Sequence, residues 1–430
     1  MNPCVLLFRP FVRTLLAASV GLYACITSPA VAQQEGPTSR RPSPRTTTDP
    51  RPNPPPPVPP LPKIDAERVT TSITKGVDLL LSMQEARAGG EKAEWPYEGV
   101  YRVGGNIPIG YRVGGTGITI LALLQAPGYK DHAPRQEAVN RSVRFIIDST
   151  SDELMNPDYD STYDTRGWGY TYGLLALLKL KALDAVDAEL AAGVERTILW
   201  CIDSIQQTDI PKVGGWNYAR SGGKTGVSPM SPFMTGPTLQ ALFQARSQGY
   251  KVDDAVVDRA VAALIRARTP TGSYTYAGDA KENPEPIAGA VGRMLVSEVT
   301  LKLCGKSDLV HLRAALDAFF VHWEWLDRRR AQNGTHIPPY SIAPYYFYYA
   351  HYYAAQAIEH LPRKDQEEYR RRLSELLWKN QLEDGSWNDR VFPRSRNYGT
   401  AMSMMALMMH ETPKPAEWKA VAMDAPKPPR

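Results

Sequence analysis

"TGITILALLQA", Thr116 to Ala126, is apolar on nearly every face and opens on Thr-Gly. A helix that is apolar all round is a buried one. The run therefore reads as a helix surrounded by other helices. Similar openings follow in "YGLLALLKLKA" from Tyr172, "TGPTLQALFQA" from Thr235, "AGAVGRMLVSEV" from Ala288, "YAHYYAAQAIE" from Tyr349 and "YGTAMSMMALMM" from Tyr398. Aligned this way, the second residues are Gly117, Gly173, Gly236, Gly289, Ala350 and Gly399, at intervals of 56, 63, 53, 61 and 49 residues. Glycine inside a helix costs about 0.5–1 kcal/mol relative to alanine. Its return at one register predicts that something approaches the backbone closely there.

Between these runs lie six segments with one charged face: "AERVTTSITKGVDLLLSMQ", "QEAVNRSVRFIID", "AAGVERTILWCIDSIQQ", "DDAVVDRAVAALIRAR", "VHLRAALDAFFVHWEWLDRRR" and "QEEYRRRLSELLWKNQ". Six amphipathic helices alternating with six apolar ones fit two concentric rings, apolar inside and amphipathic outside. The expected fold is all-α, an (α/α)6 toroid over residues 64–412, with 413–430 as a C-terminal tail.

What precedes the repeats has a different character. Arg9 and Arg13 lead into the apolar run Leu15 to Ile26, and Ala30 and Ala32 stand at the small-residue positions of a signal-peptidase site. Residues 1–32 are expected to be a signal peptide cleaved before Gln33, giving an exported protein, periplasmic or extracellular. "LYAC", ending at Cys25, has the outline of a lipidation box with a bulky Tyr23 in it. Membrane association therefore enters only if Cys25 is lipidated. Residues 33–63 form a proline-rich linker, with twelve prolines from Gln33 to Pro62, which reads as an extended, disordered spacer.

Seven Lys or Arg against two acids before Ile64 account for the whole chain's excess of five positive charges. The body is neutral, which argues against a nucleic-acid partner. Only Cys201 and Cys304 belong to the body. Export permits a disulfide between them, but their placement in two distant helical patterns favours free thiols.

"PYYFYYAHYYAAQ", Pro344 to Gln356, carries six tyrosines in the fifth apolar helix. At helical spacing, Tyr345, Tyr349, Tyr352 and Gln356 follow one stripe, and Tyr346, Tyr349 and Tyr353 its neighbour. Some rings are expected to pack between helices and others to face the middle of the ring.

The connectors add a motif. "QLEDGSW", Gln381 to Trp387, has the form Q-x3-G-x-W: Gln381 to bond helix-end groups, Gly385 for a tight turn and Trp387 folding back as an anchor. Partial versions are "DTRGWGY" from Asp164, "VGGWNY" from Val213, "TGSYTY" from Thr271, and Gln84 with "EWPYEG" ending at Gly99.

This pattern resembles the QW repeat of squalene-hopene and oxidosqualene cyclases, and more broadly the prenyltransferase and squalene-oxidase repeat proteins, over about Ile64 to Thr412. The resemblance implies an α/α toroid. It does not bring the family's chemistry with it. The Asp-x-Asp-Asp of the cyclases is missing, "NPDYDSTYD" offering Asp158, Asp160 and Asp164 at other spacings. No Asp-x-Cys accompanies Cys304 to make the zinc set of protein prenyltransferases, and the Cys-Gly-Glu-Gln thioester of complement-like toroids is absent. No metal and no cofactor are expected.

The site candidates lie where the chain enters the inner helices, or on those helices. Asp164 is either a cap paired with Arg166 or a proton donor, which a desolvated carboxyl can be. His351 is either a hydrogen-bonded core residue or catalytic. Arg112 and Arg396 either partner acids or grip a carboxylate or phosphate. Trp168, Tyr345, Tyr349 and Tyr398 could line a cavity, where aromatic faces stabilise cations or stack on sugars. Three readings follow: a toroid binding an apolar or isoprenoid ligand without being a working terpene cyclase, a polysaccharide (uronate)-active toroid, and a non-catalytic scaffold for a protein partner.

Overall fold

The computed structural model describes residues 63–160, 165–218, 223–280, 285–332 and 334–419. The expected signal peptide, nearly all of the linker and the end of the C-terminal tail lie outside these residues. Among the described residues are twelve α-helices: α1 (Ala66–Ser82), α2 (Ile109–Gln125), α3 (Ala133–Ser149), α4 (Arg166–Ala182), α5 (Ala191–Gln207), α6 (Pro232–Ser247), α7 (Asp254–Arg266), α8 (Ile287–Leu303), α9 (Leu309–Arg329), α10 (Tyr346–Ile358), α11 (Arg363–Lys379) and α12 (Ser395–Leu407).

The even-numbered helices make the inner ring. Each packs on the next, and α12 returns to pack on α2, so the ring closes. The odd-numbered helices lie outside. Burial follows this division: α8 is buried without a break from Ala288 to Leu301, whereas α1 buries only the stripe Ser72, Ile73, Gly76, Val77 and Leu80. The helix ends differ too. Four outer helices start on a capping side chain, Asp65, His132, Asp253 and Asp308. None of the six inner helices does.

Tryptophans in three connectors hold the rings together in the same way. Trp95, Trp216 and Trp387 donate Nε1–H to the carbonyls of Leu80, Ile205 and Leu377, at 2.6, 2.8 and 2.8 Å. Those carbonyls lie in the last turn of the preceding outer helix, where intrahelical donors run out; Ile205 O and Leu377 O also accept from the backbone N–H of Thr208 and Asn380. The backbone N–H of each tryptophan bonds the hydroxyl of an inner-helix threonine, Thr116, Thr235 or Thr400, at 2.9, 3.0 and 3.1 Å. Gly385 makes its turn at φ +87°. Gln381 donates to Gly385 O at 3.1 Å and faces the Ser72 hydroxyl at 3.4 Å. The two other connectors depart from the pattern. Trp168 belongs to α4 itself, and Tyr274 donates to Glu298 at 2.8 Å instead of to a helix end.

The threonines also correct the alignment of the last repeat. Thr400 sits in the register of Thr116 and Thr235, so Gly399 corresponds to Gly115 and not to Gly117. A Cβ on Gly399 would lie 2.4 Å from Trp387 O, and one on Gly115 2.6 Å from Trp95 O. Two glycines two residues apart in the first repeat allowed either match. Close approach holds for Gly117, Gly236 and Gly289, where a Cβ would come within 2.4–2.5 Å of Tyr172 O, Val296 Cγ2 and Tyr340 O. Gly173 is the exception, with an ordinary 3.4 Å contact.

The tyrosines of α10 fill the ring. Tyr353 Oη lies 3.5 Å from Tyr172 Oη of α4, the helix opposite α10. Tyr349 donates to Phe233 O of α6 at 2.8 Å, and Tyr346 accepts from Arg293 of α8 at 3.3 Å. The expected hollow is thus occupied along most of its length. Cys201 and Cys304 are free thiols, and burial pushes them up to about 12 and about 11.

Candidate functional site

Where the inner helices begin, the aromatic filling stops short of the surface and leaves a pit. Its walls include Tyr97 from the connector before α2, Tyr111 of α2, Trp168 of α4, Phe233 of α6, Tyr345 at the start of α10 and Tyr398 of α12. Trp168 and Phe233 stack with centroids 5.5 Å apart, and Tyr97 leans on Tyr398 at 4.6 Å. The space left is about 20 Å³, room for roughly one water. Tyr101, two residues before the β-bridged Val103 in the same connector, is half-buried against it.

Burial holds Tyr97, Tyr345 and Tyr398 well above the ordinary phenol range. At neutral pH the pit presents uncharged rings and intact hydroxyls, with no phenolate base. Along one edge runs a chain of polar groups. Tyr218 Oη bonds Tyr276 Oη closely and lies 3.4 Å from Tyr345 Oη. Tyr345 Oη lies 3.3 Å from His336 Nε2, whose Nδ1 meets Ser341 O at 2.9 Å. Desolvation lowers the His336 imidazole, so it is neutral at pH 7.

Behind Tyr97 is a pair that the motif reading passed over. Asp389 and Arg390 follow Trp387 by two and three residues. Tyr97 Oη donates to Asp389 Oδ2 at 3.1 Å and accepts from Arg390 Nε at 3.0 Å. Asp389 is fully buried, and its Oδ1 has no partner. Desolvation pushes its carboxyl up to about 7, the Arg390 charge opposing. Two adjacent charged residues after an anchoring tryptophan were the available signal.

The sequence-derived candidates separate into three groups. Trp168, Tyr345 and Tyr398 line the pit, with Tyr349 immediately beneath, 4.3 Å from Phe233. Arg112 and Arg396 do not reach it. Arg112 makes a two-point bond to buried Glu94 at 2.7 Å in a separate cleft of about 450 Å³, and Arg396 pairs with Asp384 and Ser386. His351 also lies elsewhere, between α9 and α10: Nδ1 bonds Phe347 O at 2.7 Å, Nε2 accepts from Trp323 at 2.9 Å, and burial lowers it to about 4. Asp164 lies outside the described residues.

No group of three His, Cys, Asp or Glu among the described residues is placed to hold a metal. No described helix is long and apolar enough to cross a membrane. A larger cavity, about 870 Å³, is an open groove at the other end of the ring, between α1 and α11.

No family model matches the chain, and no curated protein matches it. Solved structures do. An α-1,6-mannanase of Salegentibacter sp. HEL1_6, in a variant bound to α-1,6-mannotetrose, is similar at TM-score 0.53 and 10% identity, over 79% of this chain and 99% of that one. An unsaturated glucuronyl hydrolase from Streptococcus agalactiae is similar at 0.53 and 13%, over 82% and 94%. A D-mannose isomerase is similar at 0.51 and 12%, over 80% and 98%. At such identities the likeness defines the fold: this chain is an all-α, α/α toroid.

Proposed function

We propose that this chain is an exported toroid of the prenyltransferase and squalene-oxidase repeat type that has become a glycan-binding protein, seating its ligand on the aromatic pit. The three matching tryptophan anchors support the repeat ancestry. The observation that carries the function is the pit itself: stacked rings with intact hydroxyls, open at the rim and closed below. Flat apolar faces edged by hydroxyls suit a sugar residue, which needs both stacking and hydrogen bonds.

An isoprenoid ligand is less well served. It needs a long enclosed apolar cavity, and the tyrosines of α10 occupy that space. A scaffold role would be favoured by a broad apolar patch on the outer ring. Among the described residues of α9, Val310 and Val321 are both well exposed, but they lie three turns apart. The overlaid mannanase and glucuronyl hydrolase act on glycans, in line with this reading, which makes polysaccharides the first ligands to try.

The test is affinity electrophoresis of the mature protein through gels cast with neutral and with acidic polysaccharides. Retardation by at least one, reduced in Trp168→Ala and Tyr398→Ala variants that still fold, is the expected outcome. Equal mobility in every gel would end the glycan reading.

A further inference from the structure

The chain spends far more residues at the pit end of the ring than at the other. The connector between α1 and α2, from Met83 to Pro108, is 26 residues long, whereas the five connectors at the opposite end are four to eight. Long connectors in a compact domain commonly carry function. This one starts as a hairpin in which Glu85 pairs with Glu94. A cleft opens between the hairpin, the start of α2 and the end of α3. Its two lobes, about 450 and about 310 Å³, share Arg87, Ile109, Arg112 and Asp152 as walls. Both are in the size range of small-molecule sites.

Part of the cleft wall is held rigid. Glu94, 2% exposed, accepts from Nε and Nη2 of Arg112 at 2.7 Å each and from Nη1 of Arg87 at 3.1 Å. The Arg112 guanidinium also lies over the Phe145 ring, 5.2 Å from its centre. Its Nη1 is left to the cleft, where the side chain keeps 20% of its surface, and Arg87 keeps half of its own. A guanidinium clamped on one edge offers the other with little entropy to lose. Asp152 uses Oδ1 to cap the Leu154 N–H at 2.9 Å. Pro96, Ile107, Ile109 and Leu154 add apolar surface beside these groups.

The charges around the cleft balance. Arg87, Lys92, Arg112 and Arg394 stand with Glu85, Glu94, Asp148 and Asp152. Arg394 pairs with Glu85 at 2.6 Å and Lys92 with Asp148 at 2.8 Å. Such a lining has no net pull on an anion, and its carboxylates would oppose one. Hydroxyls both donate and accept, so they can use guanidinium and carboxylate alike. The cleft and the pit are back to back across one stretch of chain. Pro96 and Val103 line the cleft, Tyr97 and Tyr101 the pit; on α2, Arg112 faces the cleft and Tyr111 the pit.

We propose that this cleft is a second sugar subsite, and that the ligand is a neutral polysaccharide crossing the Tyr97–Val103 stretch from pit to cleft. The inference rests on the pit being a glycan seat, and it narrows the glycan to an uncharged chain. The pit supplies stacking but room for little more than a water. The cleft supplies space for a whole sugar residue, with fixed donors and acceptors around it.

The experiment is affinity electrophoresis of the mature protein in gels cast with α-1,6-mannan, dextran or polygalacturonate. Matching oligosaccharides of one to six residues serve as soluble competitors. Two variants probe the cleft. Ser151→Trp fills it from an exposed lip, where the serine hydroxyl bonds only Asp148 O in its own turn. Arg87→Ala removes a half-exposed donor and leaves the Arg112–Glu94 pair intact. Retardation is expected in a neutral gel and should be at least about threefold weaker in polygalacturonate and in both cleft variants. The hexasaccharide should compete at least about tenfold better than the single sugar, because it spans two subsites.

Retardation that Trp168→Ala weakens and both cleft variants leave unchanged would overturn the cleft assignment and leave the pit standing. Retardation that the cleft variants weaken and Trp168→Ala leaves unchanged would overturn the pit reading and keep the cleft as a sugar site. Stronger retardation in polygalacturonate, or competition independent of chain length, would overturn the proposal. The comparison of gels and of competitor lengths needs no variant, so a variant that fails to fold does not shelter it.

Discussion

Replacing Asp389 by asparagine should make the protein relatively more stable as pH rises, with no ligand present. The carboxyl moves from about 3.9 in an unfolded chain to about 7 in the fold, because it is fully desolvated. Between those values the folded state keeps a proton that the unfolded state has lost. The contribution is therefore greatest below about pH 4 and is lost as pH climbs through 7. Three pH units at about 1.4 kcal/mol each give about 4 kcal/mol in total, of which about 2.5 kcal/mol falls between pH 5 and pH 8. The asparagine amide would keep an acceptor for Tyr97 and cannot titrate. Urea unfolding of both proteins at half-unit steps from pH 5 to 8 gives the gap between them, and the other titrations cancel in it. The gap should shift by about 2.5 kcal/mol in favour of the variant. A gap constant to within about 0.5 kcal/mol would mean that Asp389 is solvated or fully paired, and would refute the reasoning.

Other consequences can be measured on the same footing. His351 is held neutral, so its contribution is present above its ordinary value of 6.5 and is lost as pH falls towards 4. His351→Gln should remove up to about 3 kcal/mol of acid sensitivity, seen as a flatter plot of stability between pH 6.5 and 4.5. Trp387→Phe removes the indole donor to Leu377 O, which keeps the Asn380 N–H, and should cost about 0.5–1.5 kcal/mol in chemical unfolding. Gly399→Ala forces a methyl against Trp387 O and should destabilise by about 1–3 kcal/mol. Gly173→Ala, with room for the methyl, should be neutral or stabilising by up to about 1 kcal/mol in the same assay.

Much of the fold could be read from residue pattern. The alternation of "TGITILALLQA"-like and charged-face segments located all six inner and six outer helices, because burial on every side leaves a mark in composition. Alignment of the last repeat failed for a local reason: Gly115 and Gly117 are both close-approach positions, and only the bond from Trp387 to Thr400 decides between them. The site was less legible. Trp168, Tyr345 and Tyr398 announced themselves as aromatics near helix starts, whereas Arg112 and Arg396 looked equally available and proved to be committed to Glu94 and Asp384. Asp389 and Arg390 went unremarked because a charged pair in a connector usually faces water. Their burial depends on Tyr97, almost three hundred positions away in the chain, and no local pattern encodes that meeting. The filled centre of the ring was missed for a related reason. The stripes of tyrosine were visible, but whether they line a void or abolish it depends on ring radius, which sequence periodicity does not specify.

The closure of α12 onto α1 and α2 has a consequence for how the chain could be rewired. Lys63 and Lys414 line one groove, so the beginning and end of the repeat array are neighbours. A short peptide joining them would leave the helix-to-helix contacts in place, giving up only what Trp418 adds on Leu303 and Phe243, and new termini could be opened at the partly exposed turn around Asp184–Glu189. Such a circular permutant would keep its spatial order while losing its covalent order. Seniority among the six hairpins is then a matter of translation, not of architecture.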